Sequence, residues 1–304
     1  MRITLLGGSG FLGKHLISAL SASGHSITLI TRRPQTVRQT VPPAVEVQRR
    51  STPEALASII NESDAVVNLT GESIGAKRWS RKRKQEILSS RVETTRNVVE
   101  AIGRTSKKPS VLLNASAVGY YGNVQSGDVS ERHPPGTDFL ADVCVQWEAE
   151  ARKAERFGVR VLLPRSGVVL ANDAEALQRM MVPFKFFVGG PLGSGAQWFP
   201  WIHIDDEIGA MVHLLGNPTA TGPYNFVAPE SVTMRQFCSV LGKAMHKLSW
   251  APVPSFVLKI VLGEMAEALV LGGQKAVPQK LMESGYQFRY SGIREALAQI
   301  FPKG

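Results

Sequence analysis

The chain of 304 residues is long enough to bury a core, and 43% of its residues are hydrophobic, as in ordinary globular proteins. Its formal net charge of +10 favours anionic partners but does not choose among phosphorylated cofactors, nucleotide sugars, nucleic acids and acidic surfaces. Two cysteines, Cys144 and Cys238, are too few for a disulfide framework and lack the spacing of a zinc site, so we interpret both as free thiols and predict no metal site.

Strand-like and helix-like patterns alternate through the first two thirds of the chain. The predicted strands cover residues 2–6, 26–31, 45–47, 65–69, 111–115 and 159–163. The predicted helices cover residues 11–23, 55–60, 80–102 and 138–157. Repeated strand–helix–strand units predict an α/β fold of the Rossmann type, with a doubly wound parallel sheet covered by helices on both faces.

The pattern becomes irregular from about residue 170. Glycine and proline at 189–195 and aromatic residues at 198–201 are typical of a lid or binding loop. Helical patterns follow at 234–245, 254–271 and 275–284, with a short strand at 224–227. We therefore predict a nucleotide-binding domain at residues 1–170, whose core sheet also receives strands near 201–204 and 222–227. Residues 171–304 are predicted to form a smaller, mostly helical region on the substrate side.

The segment between the first strand and the first helix carries the clearest motif. Gly7, Gly10 and Gly13 form a G-x-x-G-x-x-G pattern inside a strand–helix–strand unit. In this pattern the first glycine allows a tight turn, the second lets the backbone approach a pyrophosphate, and the third lets helix and strand pack closely. Amides at the helix start, at Phe11 and Leu12, then face the anion. The motif predicts dinucleotide binding, the alternative being glycines that only form a turn.

The end of the second strand selects the nucleotide. An NAD site usually has an acid there, which bonds the ribose and would repel a 2′-phosphate. This chain instead has Thr31, Arg32 and Arg33, and Thr31 lies 18 residues past the last glycine. Paired guanidiniums bind a phosphate dianion, so NADP(H) is predicted over NAD, unless the arginines merely solvate a turn. The ligand-binding edge of the sheet also includes Asn68, Leu69, Thr70 and Gly71, after the fourth strand.

These segments together resemble the extended short-chain dehydrogenase/reductase superfamily. More closely, the chain resembles the atypical subgroup of epimerase family, or nucleoside-diphosphate-sugar-epimerase-like, proteins. The matching segments span nearly the whole chain and lie at 71–72, 90–95, 165–170, 189–195, 199–203 and 273–279. The resemblance implies that the cofactor site also includes Glu72, Arg91, Ser116, Cys144 and Arg165.

Catalytic members of the superfamily combine a serine with a Tyr-x-x-x-Lys pair, whose lysine lowers the pKa of the tyrosine that exchanges a proton with substrate. Aligned through Glu148, this chain has Leu140 at the tyrosine position and Cys144 at the lysine position. Ser116 is retained, and Arg91 stands where asparagine is common. Because a neutral thiol supplies no charge, the ordinary tyrosine chemistry is not predicted, and a packing role is favoured for Cys144.

One hypothesis keeps proton transfer by assigning it to Tyr121, just after Ser116, with Arg91 as the nearby positive charge. The other is that this tyrosine packs or bonds the backbone. The catalytic candidates are therefore Ser116, Tyr121 and Arg91.

Two functions remain open on this sequence. The first is an NADP(H)-dependent oxidoreductase or epimerase-like enzyme acting on an unidentified small molecule, with nucleotide-linked compounds among the candidates. The second is a non-catalytic regulatory or scaffold protein that responds to NADPH, as the missing Tyr/Lys pair suggests.

Expectations about partners rest on charge and hydropathy. The basic cluster at residues 77–84 is interpreted as a solvated helix face, with phosphate contact as the alternative, and no specific nucleic-acid binding is expected. No apolar run is long enough to cross a bilayer and no leader pattern opens the chain, so we expect a cytoplasmic or equivalent reducing compartment and no membrane binding. Monomer and homodimer are both left open.

Overall fold

A parallel sheet forms the centre of the structure, a computed structural model that describes residues 1–49 and 52–302. The strands are β1 (Arg2–Leu6), β2 (Ser26–Thr31), β3 (Glu46–Arg49), β4 (Ala65–Asn68), β5 (Val111–Asn114), β6 (Ser116–Ala117), β7 (Asp128–Val129), β8 (Arg160–Ser166), β9 (Val168–Leu170), β10 (Trp198–Phe199), β11 (Trp201–His203), β12 (Gly222–Phe226), β13 (Val232–Thr233) and β14 (Lys275–Ala276). The central sheet has the order β12-β8-β5-β4-β1-β2-β3, with β6 also paired to β8.

All pairings in this sheet are parallel, and β4 and β5 are buried along their whole length. Continuous burial is expected of strands that helices cover on both faces. The strand order reverses between β1 and β4, which is the switch point where open α/β sheets bind ligands. The predicted Rossmann-type fold is confirmed.

Helices cover both faces of the sheet, and further helices follow it in the C-terminal region. They are α1 (Phe11–Ala22), α2 (Pro34–Arg38), α3 (Pro53–Ile60), α4 (Arg81–Arg104), α5 (Phe139–Arg152), α6 (Glu175–Lys185), α7 (Ile204–Gly216), α8 (Met234–Ala244), α9 (Ser255–Leu262), α10 (Gln279–Glu283) and α11 (Ile293–Ile300). Because alternate strand residues point to opposite faces, α1 and α7 pack on the side of Leu5, whereas α3 and α4 pack on the side of Leu6. None of the helices described is both long and apolar enough to span a membrane.

The structure differs from the predicted elements mainly after residue 166. The strand expected near 201–204 does not join the central sheet, because Trp201–His203 pairs with Val168–Leu170 in a separate two-stranded sheet. A close approach at Gly167 accompanies this departure, since a Cβ there would lie 2.8 Å from the carbonyl oxygen of Pro200. The helix predicted at 254–271 is interrupted at Gly263, whose φ of +63° suits glycine.

Candidate functional site

The turn between β1 and α1 leaves no room for a side chain at Gly7 or at Gly13. Gly7 has a φ of +82°, and a Cβ there would lie 2.7 Å from the carbonyl carbon of Leu69. At Gly13 a Cβ would lie 2.3 Å from the Cα of Gly8, so helix and turn could not stay in contact. Gly10 donates its amide to the Gly7 carbonyl at 3.0 Å and precedes α1. This close backbone packing is what the motif predicts for a pyrophosphate-binding turn.

The start of α1 supplies the partners for an anion. No side chain caps Gly10, the N-cap, and the first turn holds no acidic residue. Its first amides therefore point outward without an intrahelical acceptor, at the positive end of the helix dipole. Phe11 and Leu12 open this turn, as predicted from the sequence.

A cleft of about 460 Å³ runs along the carboxyl ends of β1, β2 and β4. The predicted cofactor residues that line it are Gly7, Gly10, Thr31, Arg32, Leu69, Thr70, Gly71 and Glu72. Sequence reasoning missed the opposite wall, which comes from Ser89, Ser90, Glu93 and Thr94 of α4. Their helical spacing, which puts all four on one face, is a signal that could have identified them.

A second pocket of about 340 Å³ shares Ser9, Thr31 and Arg32 with the cleft, and we call it the anion pocket. It adds Arg33, which was predicted, and Lys14, which was not. The hydroxyl residues Thr31, Thr36 and Thr40 complete its polar lining. No carboxylate lies among its described lining residues, so its three cations face a cavity that suits a phosphate dianion.

Asn68 supports the cleft from below instead of lining it. The residue is fully buried, and its Nδ2 donates to Asn114 Oδ1 at 2.7 Å and to Thr95 Oγ1 at 3.0 Å. Its Oδ1 accepts the amide of Thr70 at 3.2 Å, and the amide of Leu69 donates to the Leu6 carbonyl at 2.9 Å. Asn68 therefore positions the following loop against the glycine turn.

Glu72 lies between two guanidiniums at the mouth of the cleft. Its Oε1 is 3.7 Å from Arg32 Nη2, and its Oε2 is 3.6 Å from Arg83 Nη1. Arg83 belongs to the basic cluster at 77–84, yet it is buried and also pairs with Glu86 at 2.9 Å. The interpretation of that cluster as a solvated face therefore does not hold for Arg83.

Arg91 lies beside the same loop. A Cβ at Gly71 would be 3.0 Å from the Arg91 guanidinium carbon, and that guanidinium lies 5.1 Å from the ring centre of Trp147. Its Nη1 donates to the Ile87 carbonyl at 3.0 Å, and burial lowers the pKa of the side chain. Arg91 thus places a partly desolvated positive charge beside Gly71, in the loop that follows β4.

Cys144 is buried, and its Sγ donates to the Ala117 carbonyl at 3.8 Å. Burial raises the pKa of this thiol to about 12, with a further contribution from the nearby Glu148 carboxylate. A thiol with this pKa is neutral at physiological pH and supplies no positive charge. The geometry favours the packing role.

Ser116 and Arg165 meet at one carboxylate. Ser116 Oγ donates to Glu148 Oε1 at 2.7 Å, and Arg165 donates Nε to the same oxygen at 2.7 Å and Nη2 to Oε2 at 2.8 Å. The arginine and glutamate side chains are both almost completely buried. Arg165 therefore forms a bidentate, buried ion pair with the carboxylate that Ser116 also bonds. It does not line the cleft.

The structure does not bring Tyr121 to the cleft. Its hydroxyl donates to Asn225 Oδ1 at 2.6 Å and accepts from Arg165 Nη1 at 2.9 Å, and the side chain is 2% exposed. Burial raises the pKa of this phenol to about 12. Of the three catalytic candidates, Arg91 lies next to Gly71 of the predicted cofactor site, whereas Ser116 and Tyr121 are both buried and both bond to the Arg165–Glu148 pair.

Comparison with known families decides the classification. A model of the NAD dependent epimerase/dehydratase family matches residues 3–227. The chain belongs to this family. A second match, to a domain of unknown function (DUF1731), covers residues 253–300 of the epimerase-family chain. The resemblance inferred from the motifs is confirmed, and the family binds nicotinamide dinucleotides.

Several relatives share this epimerase-family assignment. The epimerase family protein SDR39U1 homolog, chloroplastic, of Arabidopsis thaliana is 41% identical over 99% of this chain and 86% of its own length. The epimerase family protein SH2119 of Staphylococcus haemolyticus is 40% identical over 97% of both chains. The crystal structure of human epimerase family protein SDR39U1 (isoform2) with NADPH has a TM-score of 0.88, with 35% identity and 99% coverage of both chains.

Two further features of the epimerase-family chain bear on its chemistry. Within residues 1–49 and 52–302, no group of three or more His, Cys, Asp and Glu could hold a metal ion. His203 caps α7, because its Nδ1 accepts the Asp205 amide at 3.1 Å, and its Nε2 meets Gln299 Oε1 at 2.9 Å. Burial lowers the pKa of this imidazole. These contacts fit a structural role.

Proposed function

We propose that this epimerase-family protein binds NADP(H) in preference to NAD(H), and that it is an oxidoreductase or epimerase-like enzyme acting on a small molecule. The observation that carries the cofactor preference is the anion pocket, where Lys14, Arg32 and Arg33 converge without a carboxylate in the described lining. The human relative crystallised with NADPH supports the same preference.

The shape of the site supports this proposal. Gly7 and Gly13 leave no room for a side chain, so the diphosphate would lie against bare backbone and the first amides of α1. The anion pocket would take the 2′-phosphate, with Arg32 and Arg33 as its principal partners. The bound dinucleotide would supply or accept hydride at its nicotinamide ring.

Ser116 is the polar residue proposed to meet the substrate. Its hydroxyl hydrogen is committed to Glu148 at 2.7 Å, which leaves its oxygen free to accept a hydrogen bond. Ser116 would therefore orient a substrate hydroxyl instead of donating to a carbonyl. Arg165 fixes the Glu148 carboxylate at 2.7 and 2.8 Å and so holds Ser116 in this arrangement.

A second candidate function is a non-catalytic protein that responds to NADPH. It is favoured by the residues at the positions of the missing pair, Leu140 and Cys144, and by the buried state of Tyr121, whose pKa is raised to about 12. In this case cofactor binding would change the affinity for a partner without any turnover.

Calorimetric titration with NADPH and NADH tests the cofactor proposal. Wild-type protein should bind NADPH at least tenfold more tightly, and Arg33→Ala should remove most of that difference while leaving NADH binding unchanged, because a charge-assisted hydrogen bond is worth about 1.5–3 kcal/mol. Arg104→Ala is the matched control, since Arg104 is exposed and pairs with Glu54 away from the cleft. Equal affinity for both nucleotides, or no binding of either, would overturn the proposal.

A turnover assay distinguishes the enzyme from the non-catalytic NADPH-responsive protein. Wild-type protein incubated with NADP⁺ and a panel of hydroxyl-bearing compounds should reduce the cofactor faster than Ser116→Ala does. If NADPH binds but no compound is turned over above this variant, the enzyme assignment fails. A partner affinity that then changes with NADPH would support the regulatory function.

A further inference from the structure

An apolar patch projects from the region that follows the Rossmann sheet. It consists of Phe186, Phe187, Val188, Leu248 and Trp250, which are between 49% and 75% exposed, and we call it the Phe187–Trp250 patch. The indole of Trp250 donates Nε1 to the Phe187 carbonyl at 2.9 Å, so the two segments form one surface. Large apolar side chains that cluster on a surface mark interaction sites. Exposure this high means that the side chains project, whereas side chains lining a groove would be half-buried.

The backbone under the patch is held in an unfavourable conformation. Phe187 has a φ of +62°, which is uncommon for an aromatic residue. Two hydrogen bonds keep it there, from the Phe187 amide to the Phe184 carbonyl and from the Val188 amide to the Pro183 carbonyl, both 3.0 Å long. Phe184 itself is buried and anchors the turn. These two bonds are those of a Schellman C-cap that ends α6, and the turn presents Phe187 on the surface.

The two chain segments that contain the patch carry positive charge and no carboxylate. Residues 176–195 and 234–263, which contain the patch, include no Asp or Glu. They carry Arg179, Lys185, Arg235, Lys243, Lys247 and Lys259. Arg179 and Lys259 pair with carboxylates outside these segments, whereas Lys185, Lys243 and Lys247 take part in none of the ion pairs of the described residues. The Lys247 ammonium lies 3.6 Å from the ring centre of Phe187, so charge and apolar surface are in contact.

The apolar surface extends along the chain beyond Trp250. Helix α9 follows shortly after and has no buried residue. It exposes Phe256, Ile260 and Val261, each by more than half of its surface. This helix thus adds apolar side chains to a segment that already lacks carboxylates.

We propose that the Phe187–Trp250 patch docks on the surface of an anionic lipid bilayer. The aromatic side chains would enter the interface, and Lys185 and Lys247 would meet the lipid phosphates. This binding is peripheral, replaces the expectation of no membrane contact drawn from the sequence, and does not rest on the proposed function.

Two other occupants fit less well. A second copy of this chain would place the same unpaired lysines against each other across a symmetric contact, which is repulsive. An acidic protein would satisfy the charge, but a protein interface needs complementary pockets for side chains that project as far as Phe186 and Leu248 do. A fluid bilayer interface accommodates projecting side chains without such pockets.

Sedimentation with lipid vesicles tests the proposal on the full chain. Wild-type protein should bind vesicles of phosphatidylcholine with phosphatidylserine at least tenfold more tightly than vesicles of phosphatidylcholine alone, and high salt should weaken this binding. The double variant Phe186→Ser/Leu248→Ser and the double variant Lys185→Glu/Lys247→Glu should each lose at least tenfold. Met282→Ser and Lys82→Glu are matched controls, because both residues are exposed elsewhere on the surface, and both should bind like wild type.

Circular dichroism and NADPH titration of each variant separate loss of membrane binding from loss of fold. Vesicle binding by the patch variants equal to that of wild type would overturn the proposal, as would failure of wild-type protein to bind phosphatidylserine vesicles. Concentration-dependent dimerisation that Leu248→Ser abolishes, without vesicle binding, would assign the patch to a second copy. Binding of polyglutamate without vesicle binding would assign it to an acidic protein.

Discussion

The guanidinium of Arg32 and the carboxylate of Glu72 face each other across the mouth of the cofactor cleft, with Nη2 and Oε1 3.7 Å apart. Arg32 also lines the anion pocket, so in the free protein one of the proposed phosphate partners is already near an anion. The amide of Glu72 donates to Ser90 Oγ at 3.1 Å, which holds the carboxylate at this position. Glu72 therefore competes with a 2′-phosphate for Arg32.

The variant Glu72→Gln should bind NADPH more tightly than wild type, by up to roughly fivefold, because an exposed ion pair is worth about 0–1 kcal/mol. Binding of NADH, which lacks the phosphate, should change less. Glu54→Gln is the control, since Glu54 pairs with the exposed Arg104 away from the cleft. Calorimetric titration measures the affinity of wild type and both variants for NADPH and for NADH. If Glu72→Gln bound NADPH more weakly than wild type does, the carboxylate would assist cofactor binding instead of competing with the phosphate.

Breaking the Arg165–Glu148 pair should destabilise the fold. The variant Arg165→Met leaves the Glu148 carboxylate buried without its partner, and the free energy of unfolding should fall by about 3–5 kcal/mol. Arg152→Met, which removes an exposed partner of Glu155, should cost less than about 1 kcal/mol. Urea unfolding measures both values. Similar losses in the two variants would contradict a tightly coupled internal pair.

Both thiols should resist alkylation in the native protein. Burial raises the pKa values of Cys144 and Cys238 to about 12, so almost no thiolate is present at pH 8. Mass spectrometry after iodoacetamide treatment should find both cysteines unmodified in native protein and both modified in urea. Rapid modification of native Cys144 would refute the packing role and indicate a reactive, accessible thiolate.

Glu207 should make stability depend on pH. The side chain is fully buried, its Oε1 accepts from Ser166 Oγ at 2.6 Å, and Oε2 has no partner among the described residues. Burial raises its pKa from 4.5 to about 8. Between pH 4.5 and about 8 the native state keeps a proton that the unfolded chain has released. Stability therefore falls across this window, by at most about 1.4 kcal/mol per pH unit, and the fall is complete once the pH has passed 8.

Urea unfolding at several pH values between 5 and 9 checks this dependence. The variant Glu207→Gln, which mimics the protonated carboxyl, should show a flatter profile than wild type and a smaller loss of stability near pH 8. Glu283→Gln, on the exposed end of α10, should leave the wild-type slope unchanged. Parallel profiles for wild type and Glu207→Gln would mean that Glu207 is already ionised in the native protein.

Local spacing was sufficient to predict the fold class and the dinucleotide turn. The alternation of strand and helix patterns, the glycines at 7, 10 and 13, and the segment Thr31 to Arg33 are short-range features, because each depends on residues that are neighbours along one strand, turn or helix. The absence of the Tyr/Lys pair can likewise be identified from α5 alone, where Leu140 and Cys144 are four residues apart.

Only the tertiary structure decided which distant residues meet. Lys14 and Arg33 line the same pocket. Arg165 bonds both Glu148 and Tyr121. The Tyr121 hydroxyl also donates to Asn225, which is 104 residues away along the chain. The same holds for Trp201–His203, which pairs with β9 and not with the central sheet. Such contacts depend on how strands and helices pack, and residue spacing along the chain carries no record of that packing. The sequence by itself thus determined the cofactor-binding turn, whereas packing determined which candidate residues reach the cleft.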